Sequence, residues 1–418
     1  MMFERAYRQR LEADLAQWEA DGVITPATLA AVRVALPPLP PGVNTPVVIA
    51  IVGGLLIAAA FLAFVAAHWI ELARLARLAI LLAGIVVTHG LGAWFAHSGR
   101  PVLADLCASV GAIIFGAGIS LVGQMYHLGG DFAGGMMLWA MGTLAAAALT
   151  GSRGALAVAL VAATIWSSMR IQEIPDIPHL AFVAFWLVGA GLALAWNSRV
   201  AAHLVALAAL PWWIATALRP ELRSTFVLAD GAALLFGAGL ALAVAPWQRL
   251  SSAGVVLSTY GAFSLAGAAI LEVATANEPF NNTAASDPLW AVACGVAGAI
   301  LAFAAAAATR RPGAALAAAA IGLVLIASAV WTPRQAGEPW PTYAVELCAM
   351  LCLVISGTLD HARPRIVAGW LGIAGVIAAI TWAVKGSLLR RSIFLAAAGV
   401  VAVMLSLLLN RSLPRTRP

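Results

Sequence analysis

A short polar run interrupts an otherwise apolar chain at residues 123–131. It places an amide, a phenol, an imidazole and a carboxylate close together, in Gln124, Tyr126, His127 and Asp131. A neighbouring carboxylate orients an imidazole and favours its protonated form. A His127–Asp131 pair could therefore respond to a proton, an ion or a metal.

A second polar run closes the first apolar segment of the chain with His68, Trp69 and Glu71. If the first and third apolar segments cross the membrane in the same direction, these side chains meet those of the 123–131 run on the outer face. The alternative is that Trp69 and Tyr126 are interfacial aromatic anchors and that the ionisable groups simply lie among the lipid headgroups. Both interpretations remain open at this point.

Three further ionisable residues, His89, Asp105 and Asp230, lie within apolar segments. Such residues are costly in a membrane and are candidates for a functional site. Each could equally be a buried hydrogen-bonding partner. We expect Glu272 and Glu346, which lie near the outer ends of their segments, to reach water.

No established catalytic motif occurs in the chain. The patterns H-E-x-x-H, G-x-S-x-G and G-x-x-x-x-G-K-[ST] are absent, so no residue is predicted to be catalytic and an enzyme is disfavoured. We predict no cofactor, metal or redox role for the cysteines, because they are isolated within apolar segments, where small packing residues are common. They are Cys107, Cys294, Cys348 and Cys352.

The composition is that of a membrane protein. Of the 418 residues, 62% are hydrophobic and 10% charged, against about 25% charged residues in a soluble domain. The formal net charge of +6 could suggest a nucleic-acid partner, but the basic residues are scattered between apolar segments and form no phosphate-binding stripe. The lipid bilayer is therefore the expected partner, and nucleic acid is not.

The apolar segments have the length of membrane-spanning helices, which need about 20 residues. The sequence predicts an all-α, polytopic transmembrane bundle of about fourteen spans, within a range of roughly 12 to 14. The segment at 154–169 is the weakest of them because it is barely long enough. The predicted spans are 46–67, 78–96, 103–124, 133–150, 154–169, 180–196, 200–217, 225–246, 253–272, 289–309, 313–331, 342–359, 365–384 and 392–409.

The distribution of arginines predicts a cytoplasmic amino terminus. With this orientation most basic residues lie on the inner side, and the longest polar loop, 275–287, lies outside without a Lys or Arg. The inner residues are Arg5, Arg8, Arg10, Arg33, Arg100, Arg153, Arg199, Arg249, Arg310, Arg311, Arg363, Arg365, Arg411, Arg415 and Arg417.

The first 45 residues differ from the rest and predict a small helical hairpin. Gly22 can end a first helix, Thr25 can cap a second, and Pro26 fits its first position. A proline-rich link at 37–41 separates this hairpin from the membrane. We therefore divide the chain into a cytoplasmic hairpin with its link, 1–45, and a multi-span membrane domain, 46–418.

The first helix of this hairpin is amphipathic, because its apolar residues recur at intervals of three and four. This stripe must be buried against the second helix, the membrane or a protein partner. It consists of Tyr7, Leu11, Leu15 and Trp18.

Three places in the chain carry a resemblance to a known family. They are 18–24 (WEADGVI), 66–69 (AAHW) and 123–127 (GQMYH) followed by Asp131. On these residues the chain, over about 5–150, resembles the DUF2157 family of prokaryotic membrane proteins. Members tend to have Asn where this chain has His68. The resemblance implies a bacterial cytoplasmic (inner) membrane and brings no mechanism with it.

Three hypotheses of function follow from the sequence. The first is a non-enzymatic membrane protein that moves or senses a small solute or ion through the outer polar cluster of His68, Gln124, His127 and Asp131. The alternative is a scaffold that docks a protein partner through the amino-terminal hairpin. A membrane-embedded enzyme acting on a lipid or peptide is the third and least supported hypothesis.

Overall fold

A computed structural model shows how these segments are arranged. The structure describes residues 2–35, 45–68, 72–125, 131–171, 173, 178–219, 222, 224–276, 288–330 and 340–383.

The described residues form fifteen α-helices joined by short connections. They are α1 (Met2–Ala20), α2 (Pro26–Ala35), α3 (Thr45–Ala67), α4 (Arg74–His97), α5 (Pro101–Met125), α6 (Phe132–Thr150), α7 (Arg153–Ile171), α8 (Leu180–Ala195), α9 (Arg199–Ala217), α10 (Ser224–Ala243), α11 (Gln248–Thr275), α12 (Leu289–Thr309), α13 (Pro312–Val330), α14 (Trp340–Leu359) and α15 (Arg363–Ala383). The predicted all-α polytopic bundle is confirmed.

Eleven of the described helices, α4–α7 and α9–α15, are long and apolar enough to cross a membrane. Helix α3 has 23 residues, which is the length of a crossing, whereas α8, Leu180–Ala195, is shorter than the roughly 20 residues that a crossing needs. The segment predicted to be weakest, 154–169, is longer than expected, because α7 extends to Arg153 and Ile171. The fourteenth predicted span, 392–409, lies outside the described residues, so the total of fourteen stays a prediction.

Successive membrane helices run antiparallel, and several pairs are joined by a tryptophan. The indole N–H groups of Trp139, Trp186 and Trp213 each donate a hydrogen bond to a backbone carbonyl of a neighbouring helix, at 2.9, 2.7 and 2.7 Å. Because buried indoles need an acceptor, these bonds fix both the helix pairing and its register.

The alternation of directions gives the bundle two distinct ends. Helices α3 and α5 run parallel, because Gly54 meets Leu106 and, further along, Ala58 meets Val110. We call the end at which α3, α5, α7, α9, α11 and α13 terminate the His68 end, and the opposite one the Arg100 end.

The bundle has two main apolar cores. One lies among α5–α9 and the other among α10–α15. Both are rich in alanine, which suits helices in lipid, where association depends on close packing rather than on the hydrophobic effect. Helices α10 and α12 approach each other closely, because a Cβ atom on Gly237 would collide with the backbone carbonyl of Gly298.

The two amino-terminal helices contact each other, and Arg33 of α2 pairs with Glu12 of α1, while their role as a separate hairpin stays a prediction. Helix α1 ends at Ala20, and Gly22 follows with a φ of 69° in the left-handed region that a Cβ atom disfavours. Helix α2 begins at Pro26, and the Thr28 N–H donates to the Thr25 hydroxyl at 3.2 Å. The predicted roles of all three residues at these helix ends are confirmed.

Candidate functional site

His68 lies at the end of α3 and is held by its own helix. Its Nδ1 lies 3.0 Å from the Phe64 carbonyl oxygen, which accepts a hydrogen bond when the proton is on Nδ1. The two rings are also in contact, with centroids 4.6 Å apart. Trp69 and Glu71, the other residues predicted for this run, lie outside the described residues.

Gln124 is exposed at the His68 end, near the end of α5. The same helix face is covered further back, where the Trp139 ring lies against Gly116 and donates to the Ala112 carbonyl. Gln124 therefore belongs to the part of this face that no described helix covers. Tyr126 and His127 lie outside the described residues.

Asp131 begins α6 and has two roles in the structure. Its carboxylate accepts hydrogen bonds from the N–H groups of Ala133 and Gly134, at 3.0 and 3.2 Å, as an N-cap residue does. It also forms an ion pair with Arg170 near the end of α7. A link between the first turn of α6 and the last turn of α7 follows from their antiparallel packing.

Arg170 was not predicted, and it connects Asp131 to further charged groups. It pairs with Glu173 at 2.7 Å. One helical turn before it, the buried Ser167 hydroxyl lies 2.9 Å from Nδ1 of His179. The sequence gives no local sign of this ion pair, because Arg170 stands 39 positions after Asp131. The two residues become neighbours only because α6 and α7 pack antiparallel.

His179 is a buried histidine at the start of α8, with only 7% of its surface exposed. Burial lowers the pKa of His179, and the positive charges of Arg170 and Arg219 lower it further, while Glu173 acts in the opposite direction. The neutral imidazole is therefore favoured, with Ser167 as its hydrogen-bonding partner. This part of the His68 end was missed because no local motif marks it.

His89 and Asp105, two of the predicted intramembrane groups, are held by neighbouring groups of the protein. Nδ1 of His89 lies 2.9 Å from the Ile85 carbonyl oxygen, and its ring packs on Gly111. The Asp105 carboxylate accepts from the Ser152 hydroxyl and from the Gly154 N–H, the latter at 3.1 Å. Asp105 thus fixes the start of α7 at the Arg100 end, far from the polar runs.

Asp230 is the most buried of the three predicted intramembrane groups, with 3% of its surface exposed. Its carboxylate lies against Gly295 of α12, and a Cβ atom there would also meet Leu325 of α13. Three helices therefore meet at Asp230. Because glycine has no side chain, Gly295 leaves room for the Asp230 carboxylate.

Glu272 and Glu346 do not reach water, which corrects the expectation from sequence. They are 6% and 0% exposed, because α11 and α14 turn these side chains inward. Hydropathy located both residues near helix ends but could not show which way they point.

The amphipathic stripe of α1 is only partly covered. Leu15 is buried, as is Leu29 of α2, and Glu12 pairs with Arg33 at 3.2 Å. Leu11 is half-buried and Trp18 is 44% exposed within this chain, so burial of Trp18 against the membrane or a protein partner stays a prediction.

Tyr7 lies in α1, but its side chain is not among those that the structure describes.

Among the described residues, no group of three or more His, Cys, Asp or Glu side chains is arranged to hold a metal ion. A groove of about 280 Å³ between α7 and α9 is lined by apolar side chains and by Thr164.

Residues 16–156 match the sequence model of the family described as predicted membrane protein (DUF2157). The match covers about a third of the chain and confirms the resemblance for its amino-terminal part, including both polar runs. No curated protein and no solved structure matches the chain. The family and the helices together show a multi-pass integral membrane protein.

Proposed function

We propose that this multi-pass membrane protein moves or senses a small ion or solute. The polar groups of the His68 end give access to the site, and Asp230 is its inner group. The observation that carries the proposal is the buried carboxyl of Asp230 inside a membrane helix. Ionisable groups are rare at such positions because they are costly, and they often mark ion or substrate pathways.

The packing around Asp230 supports this role. Asp230 lies six residues into α10, about 9 Å along the helix axis at 1.5 Å per residue. Gly295 leaves space at its carboxylate, where an alanine would collide. His68, Gln124 and Asp131 lie at the same end of the bundle, from which a solute would approach Asp230.

The test is ion flux in vesicles of phosphatidylethanolamine and phosphatidylglycerol that contain the purified protein. We expect an imposed H⁺ or Na⁺ gradient to dissipate faster than in protein-free vesicles. Asp230→Asn should return the rate to that of empty vesicles, whereas Asp14→Asn, the same change at an exposed site of α1, should not. Equal rates in wild-type and empty vesicles would argue against ion movement.

The polar cluster is tested separately in cells. We expect the combined change of Gln124, His127 and Asp131 to Ala to reproduce the phenotype of a deletion strain. If the triple variant behaved like wild type, the cluster would have no part in the function.

A scaffold role is the second candidate, and it is favoured by the exposed apolar residues of the hairpin. Trp18 is 44% and Val23 70% exposed, and both flank the Gly22 turn. A photo-reactive residue at position 18 should cross-link a partner protein in membranes, whereas one at Ala27 on α2 should not. Retention of every partner after deletion of residues 2–35 would exclude this role.

We further infer that the membrane is the bacterial cytoplasmic membrane and that the amino terminus lies in the cytoplasm. Support comes from the Arg100 end, which gathers arginines from six helix connections. Cytoplasmic loops carry such an excess of basic residues. These arginines are Arg100, Arg153, Arg199, Arg249, Arg310, Arg311, Arg363 and Arg365.

A further inference from the structure

The apolar groove between α7 and α9 is open on one side. Leu160 of α7 and Ala208 of α9, both buried, form its floor. Val161, Ile165 and Leu207 line its sides and are exposed. Both helices are long and apolar enough to cross the membrane, so the open side of the groove faces lipid.

Helix α8 closes the groove from behind. Gly189 of α8 lies against Leu160 of α7 and Val205 of α9, and a Cβ atom at this glycine would be in ordinary contact with both side chains. The floor is therefore backed by a third helix. A ligand in the groove can enter only from the lipid side.

The length of the groove matches one leaflet of a bilayer. Its lining residues on α7 run from Ala157 to Ile165, which is about 12 Å along the helix axis at 1.5 Å per residue. The hydrocarbon of one leaflet is about 15 Å thick, half of the roughly 30 Å core. Because α7 and α9 both begin at the Arg100 end, the groove starts near that end and has the depth of one acyl chain.

Arg153 places a positive charge beside the start of the groove. It is the first residue of α7 and is exposed. It stands four residues before Ala157, so both residues lie on the same helix face. The axial distance between them is about 6 Å, which agrees with a headgroup region of about 5–8 Å on each side of the hydrocarbon.

The charge of Arg153 is available to a ligand. Among the described residues it takes part in no ion pair. The Asp105 carboxylate approaches the same turn, but it accepts hydrogen bonds from the Ser152 hydroxyl and the Gly154 N–H. A guanidinium binds a phosphate through parallel hydrogen bonds, and basic groups between membrane helices bind anionic lipid headgroups.

We propose that this groove and Arg153 bind an anionic phospholipid of the leaflet at the Arg100 end. One acyl chain lies in the groove against Leu160 and Ala208, and the phosphate pairs with Arg153. The apolar walls hold the chain, and the guanidinium selects the charge of the headgroup. The site makes no use of Asp230 and does not rest on the proposed function.

The test is photo-cross-linking of the purified full chain in phosphatidylcholine nanodiscs. The probe is a phosphatidylglycerol with a diazirine in the middle of one acyl chain. We expect labelling of residues 157–165 and 204–211 to exceed that of α12 around Ile300, which is 62% exposed, several-fold. A molar excess of unlabelled phosphatidylglycerol over the probe should suppress this labelling, whereas the same excess of phosphatidylethanolamine should not.

Two variants separate the headgroup from the chain. Arg153→Gln should lower the labelling of the groove about fivefold, the effect of one basic residue near an anionic surface. Arg311→Gln is the matched control, because it removes an exposed arginine from the α12–α13 connection at the same end, and it should change nothing. Ala157→Phe should fill the groove and abolish its labelling.

The wild-type protein alone can overturn the proposal, whether or not the variants fold. Equal labelling of α7, α9 and α12 would mean that lipid contacts the helices without a site. Equal suppression by the two unlabelled lipids would remove the role of the headgroup charge. Labelling of α12 with none in the groove would show that a second copy of the chain covers it, and would also overturn the proposal.

Discussion

Asp131 shows how one residue of the candidate cluster is held by its surroundings. Its carboxylate caps α6 and also pairs with Arg170. The side chains of Asp131 and Arg170 are about half and a third exposed, and solvent weakens ion pairs of this kind. The cap should therefore contribute more to stability than the ion pair does.

This ranking predicts different effects for two substitutions of Asp131. Asp131→Asn keeps a capping oxygen and should change the free energy of unfolding by less than about 0.5 kcal/mol. Asp131→Ala removes the cap and should cost about 1 kcal/mol. Unfolding in mixed micelles measures both values, and a larger effect for Asn than for Ala would show that the ion pair dominates.

The buried His179 should make the stability of the folded protein depend on pH. Burial and two neighbouring arginines lower the pKa of His179 below its ordinary value of 6.5. The folded protein thus favours the neutral imidazole. The stability that this group contributes is present above about pH 6.5 and is lost as the pH falls below it.

We therefore expect the melting temperature to fall as the pH is lowered from about 8 to about 5, the range in which histidines titrate. His179→Gln should flatten this slope, because glutamine does not titrate. His97→Gln, the same change at an exposed histidine of α4, serves as the control and should leave the slope as it is. An unchanged slope in His179→Gln would assign the dependence to other groups.

At the scale of helices, glycines decide how closely α10 can approach its neighbours. Gly237 faces the backbone of Gly298 on α12, and Gly239 faces that of Ser258 on α11. Backbone atoms cannot rotate away as a side chain can, so an added methyl group must push the helices apart. Gly267 of α11 has no atom within 4 Å of its Cβ position.

The two kinds of glycine should respond in opposite directions to alanine. Gly237→Ala should destabilise the protein by about 1–3 kcal/mol through overpacking. Gly267→Ala should be neutral or stabilise it by up to about 1 kcal/mol, since alanine favours the helix. Unfolding measurements on both variants provide the check, and equal effects would mean that helix propensity decides rather than packing.

At the scale of the molecule, the polar groups are unevenly divided between the two ends of the bundle. The His68 end holds the buried His179, and Asp230, Glu272 and Glu346 lie on its side of the membrane helices. The Arg100 end holds arginines in most connections. In a bilayer this asymmetry would direct the arginines to the cytoplasm.

Cysteine labelling in whole cells tests this orientation. In a background without the four native cysteines, Glu173→Cys should react with a membrane-impermeant maleimide, because it lies at the His68 end. Glu19→Cys, in the hairpin, should react only after the cells are broken. The reverse pattern would invert the proposed topology.

The sequence by itself determined the class of fold and nearly all helix boundaries. The length of apolar segments is set by the thickness of the bilayer, and Gly22, Thr25 and Pro26 act within one helix turn. These are local properties, so they can be predicted without knowing the neighbours of a helix. For the same reason the resemblance carried by the two polar runs was recognisable from short motifs.

Only the tertiary structure decided which ionisable groups are buried and which partners they have. Asp131 meets Arg170, and Glu272 and Glu346 are buried, through the rotation and pairing of helices that are distant in the sequence. Hydropathy is averaged over a segment and does not record rotation about the helix axis. It therefore predicted that Glu272 and Glu346 reach water, whereas packing turned both side chains into the bundle.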